Sequence, residues 1–252
     1  MTTTLITGAS SGIGAELARQ LAARGEDLVL CARRLDRLTS VREEILAAYP
    51  GRSVLLRELD VTDEAAVSAV VREVVAALPG GLDRFVVNAG LGKGAPIGSG
   101  RPDANRETAV TNVLGALAQA EAAMEVFRAQ KRGQLVMISS MSAMRGLPKT
   151  VTTYAASKAF VAHLAEGIRM ELMGRPDLDI TVTTVFPGYI RSEMNDAIDK
   201  PLPFMVDTQT GVRAIVRAIS SGRSSARVPA WPWAPMGTAM KWLPLSVVRR
   251  LT

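Results

Sequence analysis

Seven short apolar, β-branched-rich runs recur along this 252-residue chain with little polar alternation. They are TTTLITG (2–8), DLVLCA (27–32), SVLLREL (53–59), RFVVNAG (84–90), GQLVMISS (133–140), DITVTTVFPG (179–188) and ARVPA (226–230). A strand that is apolar at successive positions must bury both of its faces, which requires a sheet covered on both sides. Helix-like segments separate the runs, near 13–24, 35–49, 63–78, 105–130, 154–174 and 209–221. Strand then helix, repeated, predicts an α/β fold: a doubly wound parallel sheet built from right-handed crossovers. Thr62 or Asp63 caps the third helix, with acids in its first turn. No repeat or linker divides the chain, so residues 1–228 read as one domain. Two segments break the rhythm: 188–208, which holds Pro201 and Pro203, and a tail, 229–252, which holds all three Trp.

The net charge of +6 and the pI near 9.9 raise the question of nucleic acid. The arginines are interspersed with acids along helical patterns such as REEILAAY and VVREVVAALP, which makes them solvated helix faces. One Cys and one His leave no internal disulfide and no Cys/His metal centre, so no metal is expected. Cys31 lies in an apolar run and reads as a buried, inert thiol. His163 reads as a packing or capping residue of the fifth helix. MTTTLITGAS enters a strand directly, without a secretory signal pattern, and no apolar run reaches spanning length, so the expected compartment is the cytoplasm.

The first strand runs into TGASSGIG (7–14), and the first helix opens there. Gly8, Gly12 and Gly14 permit a tight turn, and with Ser10, Ser11 and Ile13 they bring backbone N–H groups and a helix N-terminus toward a pyrophosphate. The spacing is G-x-x-x-G-x-G rather than the common G-x-G-x-x-G. Further on stands YAASK (154–158). With three Tyr and six Lys in the chain, a chance Tyr-x-x-x-Lys is expected only about 0.07 times. On a helix the two side chains share a face one turn apart. A free phenol titrates near pH 10, so a neighbouring ammonium matters where the phenol must exchange its proton near neutrality.

The loop, NAG (88–90), ISS (138–140) and YAASK occur in order, and with them the chain resembles the short-chain dehydrogenase/reductase family. The likeness extends from residue 2 to about 228 and is closest to the compact single-domain branch. It implies a seven-stranded parallel sheet in the order 3-2-1-4-5-6-7, a nicotinamide cofactor and carbonyl/alcohol redox chemistry. It also implies that Asp60 and Val61 flank the adenine, and that Asn88, Ala89 and Gly90 line the cofactor. PGYIRS then covers the nicotinamide through Pro187, Gly188, Ile190 and Ser192, with Ser192 where the family usually has Thr.

An acid ending the second strand would bind the ribose 2′-OH and repel a 2′-phosphate. Here Ala32 stands at that place and Arg33 and Arg34 follow, so NADP(H) is the expected cofactor. Tyr154 is the expected acid/base, its phenolate favoured by Lys158 together with the positive nicotinamide of the oxidised cofactor; by resemblance Lys158 also holds the nicotinamide ribose. Ser140, at the carboxyl end of the fifth strand, can steady the substrate oxygen. It lies fourteen residues before Tyr154, one more than the family's commonest spacing, so Ser139 and Ser142 stay as alternatives. Asn112 matches the family residue that relays protons by water to the lysine; capping or kinking its helix is the other reading.

Met141, Met144, Leu147, Pro148 and Tyr189 are expected to line the substrate pocket with Met194, Leu202, Phe204 and Met205. An apolar ketone or alcohol suits such a lining. The expected protein is an NADP(H)-dependent oxidoreductase; the resemblance further implies a homodimer or homotetramer paired through the fourth and fifth helices, 105–130 and 154–174. The competing classes are a non-catalytic NADP(H) sensor and a membrane-surface scaffold. Met236, Met240, Leu243 and Val247 give the tail a helix-like apolar spacing broken at Pro244. Packing against protein, a lid over the pocket and a membrane contact are its three readings.

Overall fold

A computed structural model of the chain describes residues 2–195 and 202–251; Pro201 lies outside them. Seven parallel strands form one sheet: β1 (Thr3–Thr7), β2 (Asp27–Ala32), β3 (Val54–Glu58), β4 (Arg84–Val87), β5 (Arg132–Ile138), β6 (Asp179–Pro187) and β7 (Ser225–Val228). Their order is β3-β2-β1-β4-β5-β6-β7, as expected from the sequence. Helices α1 (Gly12–Ala22), α2 (Leu35–Ala48), α3 (Glu64–Ala76), α4 (Pro102–Ala109), α5 (Gly115–Gln130), α6 (Thr152–Leu172) and α7 (Thr208–Ser220) provide the crossovers. The tail adds α8 (Ala230–Trp242) and α9 (Leu245–Leu251), with Pro244 between them.

The continuous apolar runs are explained by the register. Val29, Leu5, Phe85, Leu135 and Val182 stand in one row across β2, β1, β4, β5 and β6 and pack with α3, α5 and α6. One residue along, Leu30, Ile6, Val86 and Val136 face the other way, against α1, α2 and α7. Successive side chains alternate between faces, so a sheet with two cores needs apolar residues at both positions.

Several boundaries move for local reasons. Asp63 is the cap of α3: its Oδ1 accepts from the Ala66 N–H at 2.9 Å. The helix expected from 105 begins earlier, at Pro102, whose missing N–H costs nothing in the first turn. Between α4 and α5 the chain takes a π-helical turn, Val110–Leu114, which contains Asn112. The fourth strand stops at Val87, because Asn88 turns back onto β1. The backbone N–H groups of Asn88 and Ala89 both donate to the Thr7 hydroxyl at 3.1 Å. The Asn88 amide donates to the Thr7 carbonyl at 2.9 Å. This lock sits where the strand order reverses, the place at which open α/β sheets form ligand crevices.

Candidate active site

A cleft of about 1130 Å³ opens over the carboxyl ends of the strands. Gly8, Ser10, Ser11, Gly12, Ile13 and Gly14 form one wall. Arg33 and Arg34 follow β2, Asp60 and Val61 follow β3, and Asn88, Ala89 and Gly90 follow β4. Pro187, Gly188, Ile190 and Ser192 close it from β6, and Ser140, Met141, Tyr154, Lys158 and Tyr189 stand beyond. The fold thus brings every cofactor residue named from the sequence into one cavity, together with Ser140, Met141, Tyr154 and Tyr189 on the substrate side. Asn112 does not line it; it is buried behind.

The glycine loop is a cradle that side chains would fill. Gly8 is left-handed at φ 63°, and a Cβ on Gly14 would collide with the Gly8 carbonyl. The loop therefore presents bare backbone at the N-terminus of α1, where an anion is favoured. Arg34 reaches over it, donating to Ser11 Oγ at 2.9 Å and Ser10 Oγ at 3.1 Å. Arg33 is largely exposed and lies 3.9 Å from Asp60. Burial alone would raise the Asp60 carboxyl, but hydrogen bonds from Thr62 and the Arg33 charge hold it below the ordinary range. Backbone donors at a helix N-terminus and guanidinium groups beside them fit a dinucleotide. Among the described residues no cluster of three or more His, Cys, Asp or Glu could hold a metal.

At the far end, Tyr154 and Lys158 project from the first turns of α6 beside the end of β5. The Ser140 hydroxyl hydrogen-bonds the Tyr154 phenol and also accepts from the Ser142 N–H at 3.1 Å. Ser139 is 2 % exposed and donates to the Lys158 carbonyl at 2.7 Å, which ties β5 to α6. The alternation past β5 thus separates a structural Ser139 from a cleft-facing Ser140. Ser142 lines the cleft, but its hydroxyl is buried without a protein partner.

Lys158 is buried, its Nζ donating to the Ile138 carbonyl at 2.9 Å and standing 5.9 Å from the Tyr154 ring centre. Burial pushes its ammonium down to about 8. Burial holds the Tyr154 phenol above its ordinary value, Tyr189 adds to that, and the Ser140 hydrogen bond only partly offsets it.

Asn112 grips Leu91 with both ends of its amide, accepting from the N–H at 2.7 Å and donating to the carbonyl at 2.9 Å. It also donates to Ser157 Oγ at 3.0 Å, and Ser157 donates to the Tyr154 carbonyl at 2.8 Å. A Cβ on Gly90 would lie 3.2 Å from Lys158 Nζ and 3.4 Å from Asn112 Oδ1. The bare Gly90 therefore lets amide and ammonium approach the same point.

The substrate side differs in part from the expectation. Met141, Leu147, Pro148, Tyr189, Met194 and Leu202 line the cleft, but Met144 lines a separate groove with Met170 and Trp242. Phe204 is more than half exposed and stacks edge-on against Trp233 at 6.3 Å; neither it nor Met205 lines the cleft. Trp233, Met236, Met240 and Val248 of the tail also line this wall, on the side where the lid reading put the tail as a whole. Trp233 lies on Gly188, where any Cβ would strike the indole, and meets Tyr189 edge-on at 5.4 Å. The helix-like Met236/Met240 spacing was visible in the sequence; the surface that it covers was not.

A profile of the short chain dehydrogenase family matches residues 2–203. An uncharacterized oxidoreductase of Mycobacterium tuberculosis is 48% identical over 246 residues, covering 98% of this chain and 95% of the relative. One from Myxococcus xanthus is 37% identical, covering 96% and 92%. The solved structure of a short-chain dehydrogenase from Sphingobium yanoikuyae in complex with NADPH superposes with a TM-score of 0.82 at 28% identity, covering 99% of this chain and 94% of that one. The chain belongs to the short-chain dehydrogenase family of oxidoreductases.

Proposed function

We propose that the protein is an NADP(H)-dependent oxidoreductase that interconverts a carbonyl and an alcohol on an apolar small molecule. One observation carries the reading: Ser140, Tyr154 and Lys158 meet at one end of the cleft whose other end holds the glycine loop, Arg33 and Arg34. The relative solved with NADPH supports the choice of cofactor.

Gly8 to Gly14, Arg33, Arg34, Asp60, Asn88 to Gly90 and Lys158 would hold the dinucleotide. When bound, it gives or accepts a hydride at the nicotinamide. Ser140 Oγ hydrogen-bonds the substrate oxygen and steadies the charge that develops there. Tyr154 Oη delivers its proton to that oxygen in reduction and takes it back in oxidation. Lys158 favours the tyrosinate that reduction leaves. Asn112 fixes the Leu91 backbone and the start of α6, and so acts through position. Met141, Tyr189 and Trp233 exclude water from the reacting carbon. The assembly that goes with this reading is a homodimer or homotetramer. A sensor without turnover would need neither the Ser140–Tyr154 hydrogen bond nor the apolar wall.

Tyr154→Phe keeps the ring and removes the proton. With a ketone that the protein reduces, turnover should fall by about a hundredfold or more, while NADPH titrated calorimetrically binds as before. Near-normal turnover in the variant would end the assignment.

A further inference from the structure

The segment leaving β6 crosses the glycine loop: a Cβ on Gly12 would come within 3.2 Å of Ser192 Cβ. The next residue, Glu193, places its carboxylate between two arginines at the start of α2. Arg34 Nη1 lies 3.3 Å from Oε2, and Arg37 pairs closely with Oε1. The same Arg34 guanidinium is hydrogen-bonded to Ser10 and Ser11 of the loop. An arginine facing the cofactor is thus shared with a carboxylate supplied from the substrate side of the molecule. Arg37 belongs to neither the glycine loop nor the Ala32–Arg34 stretch from which the cofactor was read.

We propose that Glu193 is the internal counter-ion of the 2′-phosphate site, a determinant of cofactor affinity and specificity that a 2′-phosphate must displace. This rests on the NADP(H) reading. All three side chains are about half exposed, and ion pairs in such positions are weak and screened by salt. A phosphate monoester carries close to two negative charges and three acceptor oxygens, so it outcompetes one carboxylate for a guanidinium fork. A dinucleotide without the 2′-phosphate leaves the pairing in place. Glu193 therefore opposes phosphate binding, and the opposition applies only to ligands that carry the phosphate.

The test is calorimetric titration of the full chain with adenosine 2′,5′-bisphosphate and, separately, adenosine 5′-monophosphate. Glu193→Gln should tighten the bisphosphate by about three- to tenfold at low salt, with the gain shrinking as salt rises. Its affinity for the monophosphate should not change. Glu121→Gln, the same charge change at an exposed position of α5, should leave both unchanged. Unchanged or weaker bisphosphate binding by Glu193→Gln would overturn the proposal. So would equal tightening of both nucleotides, or an equal gain from Glu121→Gln. If the unmodified protein does not prefer the bisphosphate, the NADP(H) reading itself fails, an outcome visible before any variant is compared.

Discussion

Lys158 shows how far one buried charge can be read. No carboxylate pairs with it among the described residues, and its Nζ donates to a backbone carbonyl. Burial therefore lowers its proton affinity from 10.5 to about 8. Below pH 8 the lysine is charged in both the folded and the unfolded chain, and the folded state bears the full desolvation cost. Between 8 and 10.5 the unfolded chain holds the extra proton, so the lysine's contribution to stability improves as pH rises through that window. Cys31, whose thiol burial pushes up from 9.0 to about 12, acts in the opposite sense above pH 9, and only a comparison of variants isolates the lysine. Lys158→Met should be the more stable protein at pH 7. The gap should close by about 3 kcal/mol by pH 10.5, read from urea unfolding at a series of pH values. Parallel curves for the two proteins would mean that the ammonium is not desolvated.

Two elements decide what the cleft can accept. The π-helical turn swings Asn112 toward Leu91, and it does so with no glycine or proline within Val110–Leu114 to announce it. The tail helix α8 packs through a small cluster, Met141, Met144, Phe186 and Trp233, separate from both main cores. Truncating a buried Trp in a core costs about 3–5 kcal/mol. Here the loss falls on an appended element, so Trp233→Ala should free α8 and α9 without unfolding the domain. Limited proteolysis should then cut in the 229–244 region while NADPH affinity holds. A protected tail in that variant would show that other contacts anchor it.

At the scale of the whole molecule, a polar chain runs beneath the sheet at the amino ends of the strands. Thr4 Oγ1 donates to Glu26 Oε2 at 2.6 Å, and Arg84 Nη1 meets the same oxygen at 2.5 Å. Arg84 Nε donates to Gln134 at 2.7 Å, and Gln134 reaches Thr183 Oγ1 at 3.1 Å and the Ile219 carbonyl at 3.0 Å. It joins β1, β4, β5, β6 and α7, with Arg84 and Glu26 side chains each only 11% exposed. Glu26→Leu would leave the guanidinium buried without its partner and should cost about 3–5 kcal/mol of global stability. Adding Arg84→Met should recover most of that in chemical denaturation. Additive losses in the double variant would show that packing, not charge, holds this end.

The parallel sheet and its double core were legible because they follow from local pattern: apolar residues at both parities of every central strand, and glycines where backbone must bend; the strand order came from the family resemblance. Gly8 to Gly14, Tyr154 and Lys158 were legible for the same reason, since the loop and the one-turn spacing lie within a few residues of chain. Contacts between distant segments were not. Nothing local tells Asn112 that it will hold Leu91, or Glu193 that it will stand between Arg34 and Arg37. Desolvation, which raises the Tyr154 phenol in the protein by itself, likewise depends on everything packed around a group and not on its neighbours in sequence. The tail's apolar stripe was evident in Met236 and Met240; only the folded sheet, with bare Gly188 to receive Trp233, decided which surface it would cover.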